Sequence, residues 1–181
     1  MPLGWDDVLE RHKLLFVSPQ NAGNTIPTNH SLGLAYLGAL EMMRNYNVDR
    51  NRVYAAGLSG GARIASVLGF IHNDLFRGTI QSCGTNFYRS VERRYATIDS
   101  VSGSDPYGLF TASASEVSEA RNKTKFVLIT GGGDFRRGNI LDIYNGGFAL
   151  EHFQSKLIDV PSMGHENCNG QILEQALGFL E

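Results

Sequence analysis

Cysteine is scarce in this sequence, charge is nearly balanced, and no apolar run approaches membrane-spanning length; each shortage removes a class of function. Two cysteines, Cys83 and Cys168, are too few for a disulfide framework, and their spacing matches no zinc-binding pattern. With 16 basic and 18 acidic side chains the formal net charge is -2, which leaves no electrostatic footprint for nucleic acid or an anionic membrane. The longest apolar runs, such as Ala62 to Ile71, fall far short of the roughly 20 residues that span a bilayer. The first residues also lack the basic-then-apolar pattern of a signal peptide.

What is present is an ordinary globular composition: 181 residues, 42% hydrophobic and 19% charged, enough to bury one substantial core. A single domain over 1–181 is expected, with a small or neutral molecule as its partner and no cofactor or metal. Glycine is the unusual component. Many of the 21 glycines stand where an apolar run ends, at Gly57, Gly84 and Gly131 to Gly133, as in folds whose strand ends carry tight turns.

Strand-like runs occur at Leu14 to Ser18, Val53 to Ala56, Gly78 to Ser82, Phe126 to Thr130 and Leu157 to Val160. Helical periods separate them. Leu34, Leu37, Gly38, Glu41 and Met42 share one helix face, and Ala62, Ala65, Ser66 and Gly69 form a small-residue face suited to close packing on a sheet. A third helix is expected from near Asn139, interrupted at Gly146 and Gly147, and a fourth over about 170–180. Strands alternating with helices, and reading as continuous apolar runs, predict an α/β fold with a mostly parallel sheet covered on both faces. The stretch 85–124 breaks this rhythm. It reads either as an insertion or lid, or as a surface excursion with a helix near Ser115 to Arg121.

Gly57-Leu58-Ser59-Gly60-Gly61 matches G-x-S-x-G, the nucleophile elbow that presents a serine on a strained strand-to-helix turn. In a glycine-rich chain the pattern alone says little, so its flanks decide: a strand-like run enters it and a small-residue helix leaves it. A phosphate-binding turn is the other use of such a loop, but neither a G-x-G-x-x-G fingerprint nor a following Lys is present. A serine hydroxyl needs a base, usually His, held in the right tautomer by a carboxylate. His12, His30, His72 and His152 lie before a strand, in a polar loop or near helix ends. His165 instead follows the run ending at Pro161, in a loop past a strand's carboxyl end, where open α/β sheets build their sites. Asp134 follows the Phe126 to Thr130 run and the Gly131 to Gly133 turn, between Ser59 and His165 in the chain order of this elbow. Asp105, Asp142 and Asp159 fall in the irregular stretch, on a helix and inside a strand. Asp134 also has the structural reading of a helix N-cap. The backbone N–H of Gly60 is the natural first oxyanion donor, because it opens a helix.

Val48-Asp49-Arg50-Asn51-Arg52-Val53-Tyr54 leading into the elbow, followed by Phe76-Arg77-Gly78, resembles secreted serine esterases of the α/β-hydrolase superfamily related to polyhydroxybutyrate depolymerases and to feruloyl and acetylxylan esterases. The resemblance runs from about Leu14 to the C-terminus. It implies ester hydrolysis through an acyl-serine intermediate, with Ser59, Asp134 and His165 as the triad and Gly60 in the oxyanion hole, and an exported enzyme. The family's sheet has three strands before the one placed at Leu14 to Ser18, and one of them sits beside the elbow strand. The chain is therefore expected either to be a fragment lacking the first strands, or to have a rearranged sheet; the missing part would also hold the second oxyanion donor. Cys83 and Cys168 both follow strand ends, as a disulfide tethering the histidine loop or as two buried thiols. The loop from Gln20 to Asn24 is expected at the same edge. A peptidase or acyltransferase on this scaffold, and a non-catalytic remnant, remain as alternatives, since the triad does not identify the leaving group.

Overall fold

The computed structural model describes residues 1–20, 22–23, 25–95 and 110–181. Six α-helices are described: α1 (Trp5–Arg11), α2 (Thr28–Asn45), α3 (Gly60–Ile71), α4 (Ala114–Lys123), α5 (Arg137–Ile143) and α6 (Gly170–Leu180). Between them lie β1 (Tyr54–Leu58), β2 (Gly78–Ser82), β3 (Lys125–Gly131) and β4 (Ser155–Val160), which form one parallel sheet in the order β1-β2-β3-β4. Gly57 pairs with Gln81, Gln81 with Leu128, and Leu128 with Leu157, so all four strands end at one carboxyl edge.

The alternation of side chains along β3 divides the core. Val127 and Ile129 join Ile80 and Ile158 against Leu173, Ala176 and Leu177 of α6, with Trp5 and Val8 of α1 behind them. Phe126 and Leu128 point the other way, into a cluster with Phe70 of α3, Phe87, Ile140, Phe148 and Phe153. Phe70 is its hub, with ring centroids 5.1 Å from Phe126, 5.4 Å from Phe153 and 5.7 Å from Phe87. A third cluster packs Ala39 of α2 against Ile64, Ala65 and Leu68 of α3, and so ties α2 to the sheet through α3.

Local signals set the helix ends. Ser113 opens α4 with a capping box: its hydroxyl accepts from the Glu116 N–H at 3.2 Å, and its own N–H donates to the Glu116 carboxylate at 2.6 Å. The Asn169 side chain caps α6 by accepting from the Ile172 N–H at 3.1 Å. The Gly146-Gly147 pair does not end the third helix; α5 passes into a π-helical turn over Tyr144–Ala149, where Gly147 lets the Phe87 ring approach closely. No described helix is long and apolar enough to cross a membrane.

The expected strand at Leu14 to Ser18 is not formed. That segment is irregular, with Leu15, Phe16 and Val17 at 58%, 42% and 50% exposure. A strand needs a ladder partner for its backbone groups, and none adjoins this segment among the described residues. A cavity of about 220 Å³ is lined by Leu14 to Val17 together with Val53, Tyr54 and Ala56. Among the described residues β1 is an edge strand, and Ala56 is exposed. Ahead of this segment stands α1, which the sequence reading did not foresee. It is held to α6 and its flanks by Trp5 Nε1 donating to the Cys168 carbonyl at 2.7 Å and by His12 between Glu174 and Glu181. Of the stretch 85–124, Phe87 and Tyr88 pack with the aromatic cluster and α4 covers α3. Residues 96–109, with Asp105 and Tyr107, lie outside the described residues, as do Asn21 and Asn24 of the Gln20 to Asn24 loop.

Candidate active site

Ser59 stands at the turn from β1 into α3 with φ 55° and ψ -111°, in the positive-φ region that side chains avoid. Two glycines make room for it. A Cβ on Gly57 would lie 2.2 Å from the Gly61 carbonyl carbon, and one on Gly84 would lie 2.3 Å from the Ser59 carbonyl oxygen. The Ser59 N–H donates to the Ser82 carbonyl at 2.8 Å, which fixes the turn to the end of β2. Gly60, buried, is the first residue of α3, so its N–H belongs to the positive end of the helix dipole.

Asp134 follows β3 and is 4% exposed. Both of its oxygens are engaged: Oδ1 accepts from the Arg136 N–H at 3.0 Å and Oδ2 from the Thr130 hydroxyl at 2.7 Å. His165 Nδ1 lies 2.7 Å from Oδ1. Burial pushes this carboxyl up, but His165, the Arg136 N–H and the Thr130 hydroxyl outweigh it and hold Asp134 below its ordinary value. An ionised carboxylate only accepts, so the shared proton sits on Nδ1, and in the neutral imidazole Nε2 is the acceptor. The Phe135 ring lies over the imidazole at a centroid distance of 4.2 Å.

The loop carrying His165 doubles back over the strand ends. The Gly133 N–H donates to the Met163 carbonyl at 3.0 Å, which pins the loop across β3. Farther along, the Cys83 sulfur lies 3.4 Å from the carbonyls of both Gly164 and Glu166, the residues flanking His165. Ser59 thus rests on Ser82 and the histidine loop on Cys83, two consecutive residues at the carboxyl end of β2. The structure brings Asp134 and His165 into direct contact. Among the described residues no hydrogen bond joins Ser59 to His165.

The other candidates have structural work. Asp142 accepts from the N–H groups of Arg94 and Tyr95 at 2.9 and 3.0 Å, and Asp159 pairs with Arg137 at 2.6 Å. His72 ends α3 and stacks on Tyr36 at 4.4 Å. Cys83 and Cys168 are separate buried thiols, which removes the disulfide alternative. Burial, first, and the nearby Asp134 charge push the Cys83 thiol up to about 12. Thr130 and Phe135 were not singled out from sequence; the one signal available was their position at the end of β3 and beside Asp134.

No family model and no curated protein sequence matches this chain. Solved structures do. The fluorophosphonate-binding serine hydrolase FphF of Staphylococcus aureus superposes with a TM-score of 0.65 at 18% identity, over 97% of this chain and 74% of that one. FrmB, an S-formylglutathione hydrolase from the same organism, gives 0.64 at 17% identity over 97% and 75%. A Bacillus cereus carboxylesterase gives 0.50 at 16% identity over 91% and 66%. The chain has an α/β-hydrolase-type fold. In this α/β-hydrolase-type sheet the elbow strand is β1, and Ser59, Asp134 and His165 leave the carboxyl ends of β1, β3 and β4 in that order.

Proposed function

We propose that the chain is a serine esterase that cleaves a carboxylic ester through an acyl-serine intermediate. The observation that carries this reading is the 2.7 Å pairing of His165 Nδ1 with a buried, ionised Asp134 on the sheet edge where Ser59 sits in elbow geometry. The names of the similar structures, serine hydrolase and carboxylesterase, support the same class.

In this reading Asp134 holds the imidazole with Nε2 free. Ser59 Oγ attacks the ester carbonyl while Nε2 takes its proton, and the oxyanion forms against the Gly60 N–H at the start of α3. The imidazolium, stabilised by Asp134, returns the proton to the departing alkoxide. Water then repeats the sequence on the acyl-serine, and the acid leaves. No step draws on a metal or cofactor. Within esters, the sequence resemblance points to polyester, feruloyl or acetyl substrates.

Labelling of the purified chain with a fluorophosphonate probe tests the proposal. The expected result is stoichiometric labelling that disappears in Ser59→Ala, with turnover of short p-nitrophenyl esters. A folded chain that neither labels nor turns over esters would sink it.

A further inference from the structure

Cys83 lies inside the site and has no part in acyl-serine chemistry. It is fully buried, adopts φ 55°, and is held with its sulfur against the two carbonyls that flank His165. A non-glycine residue at positive φ costs free energy that the surrounding structure must offset, so the fold fixes this thiol at one spot. That spot completes a donor set. Cys83, Asp134 and His165 each offer one ligand atom, and these atoms lie within 4.8 Å of one another. Thiolate, carboxylate and imidazole together form the mixed set that suits Zn²⁺ and similar borderline-soft ions better than Mg²⁺ or Ca²⁺.

We propose that Cys83, Asp134 and His165 form an inhibitory site for a thiophilic divalent cation, foremost Zn²⁺, seated between the sulfur, Asp134 Oδ1 and His165 Nδ1. A tetrahedral ion with bonds of about 2.0–2.3 Å places its ligand atoms roughly 3.3–3.7 Å apart. The Nδ1 to Oδ1 separation therefore opens from 2.7 Å, and the sulfur draws in by about an ångström at most. The Thr130 hydroxyl stays on Oδ2 and orients the carboxylate from behind, in the way outer hydrogen bonds orient metal ligands.

The proton balance gives the site its consequence. Zn²⁺ replaces the thiol proton of Cys83, which leaves to solvent, and a zinc–sulfur bond forms. The proton on His165 Nδ1 moves to Nε2 as Nδ1 takes the metal, so the neutral imidazole keeps one proton on its other nitrogen. One proton is released per ion. Nε2 is then a donor and no longer accepts the Ser59 proton. Inhibition thus comes from locking the wrong tautomer, and it rests on the esterase reading; binding of the ion does not.

The test is titration of the purified chain with Co²⁺, whose bond to a thiolate gives a near-ultraviolet charge-transfer absorption. Wild type, Ser59→Ala and Cys168→Ala should all develop the absorption, and Zn²⁺ should bleach it. Cys83→Ser and His165→Ala should each weaken Co²⁺ binding by more than tenfold; His165→Ala leaves Cys83 in place, so the result does not depend on Cys83→Ser folding. A folded wild type without the absorption overturns the proposal, as does an absorption that survives Cys83→Ser or vanishes in Cys168→Ala. Zn²⁺ should also block fluorophosphonate labelling, with recovery on chelation. Absence of labelling in metal-free protein would defeat the esterase reading, while the Co²⁺ titration still decides the metal site.

Discussion

β3 lies between β2 and β4 and is buried from Phe126 to Gly131, whereas β1 has, among the described residues, a partner on one side only and leaves Ala56 exposed. The two strands carry opposite halves of the proposed site. On the β3 side, Asp134 is fixed by three hydrogen bonds from Thr130, Arg136 and His165, and the histidine loop is pinned to Gly133 and Cys83. On the β1 side, the position of Ser59 depends on a strained turn, on the Ser82 carbonyl and on the room left by Gly57 and Gly84. The acid–base pair is therefore over-determined, while the nucleophile is held by few and sterically demanding contacts. Changes on the first side should alter chemistry without moving the fold, and changes on the second should move the nucleophile.

The largest effect is expected where the braced half meets the chemistry. Asp134→Asn keeps the side chain's shape but favours the wrong tautomer of His165, and kcat on a p-nitrophenyl ester should fall by about 10⁴-fold. Its far-ultraviolet circular dichroism should be unchanged; a drop below tenfold would remove Asp134 from the reading. Next in size is the core beneath that half. Phe70→Ala, at the hub of the aromatic cluster, should lower urea stability by about 3–5 kcal/mol. Leu15→Ser, in the exposed segment facing β1, should change it by no more than about 0.5 kcal/mol. Equal effects at the two positions would erase the contrast.

A smaller effect should separate the halves directly. Gly84→Ala pushes on the Ser59 carbonyl, and the three atoms nearest to the added Cβ all belong to Ser59. Labelling should slow by about 10²-fold, the order expected for an ångström of misplacement, while the downfield nuclear magnetic resonance signal of the His165 Nδ1 proton persists. Loss of both together would mean that the two halves are coupled.

The smallest effect concerns the clasp between α1 and α6. The hydrogen bond to Glu174, against the opposing pull of burial and with help from Glu181, raises His12 above its ordinary value of 6.5. A raised folded value means that the clasp contributes fully below 6.5 and is lost as pH rises through the folded value. The melting temperature of wild type should exceed that of His12→Gln at acidic pH, and the gap should close as pH rises. A gap that widens with pH would reverse the assignment. The carboxylate partners are partly exposed, so the gap is a modest one.

Much of the sheet was legible because a buried parallel strand needs an unbroken apolar run. Gly78 to Ser82 is β2 as read, and β3 extends the Phe126 to Thr130 run by one residue at each end. The run from Leu14 to Ser18 has the same composition and failed as a strand, because extended backbone needs a neighbour and a run of residues cannot report whether one exists. α1 was missed for a related reason: seven residues carry too short a period, and what holds them is a set of contacts to Cys168 and to Glu174 of α6, more than 160 residues away. At the site, the elbow glycines announced Ser59, and position after a strand announced Asp134 and His165. Cys83 was legible as a residue at a strand end, but its place beneath the histidine loop was not.

By itself, the sequence determined the α/β alternation, the parallel strands and the residue types at their carboxyl ends, because local periodicity and steric demands at glycines act within a few residues. Only the tertiary structure decided that Asp134 meets His165 at hydrogen-bond distance and that Cys83 stands beside both. It alone decided that the cysteines remain apart and that β1 lies at an edge. Each of these depends on how strands distant in sequence are ordered side by side, and that order is set by packing on both faces of the sheet.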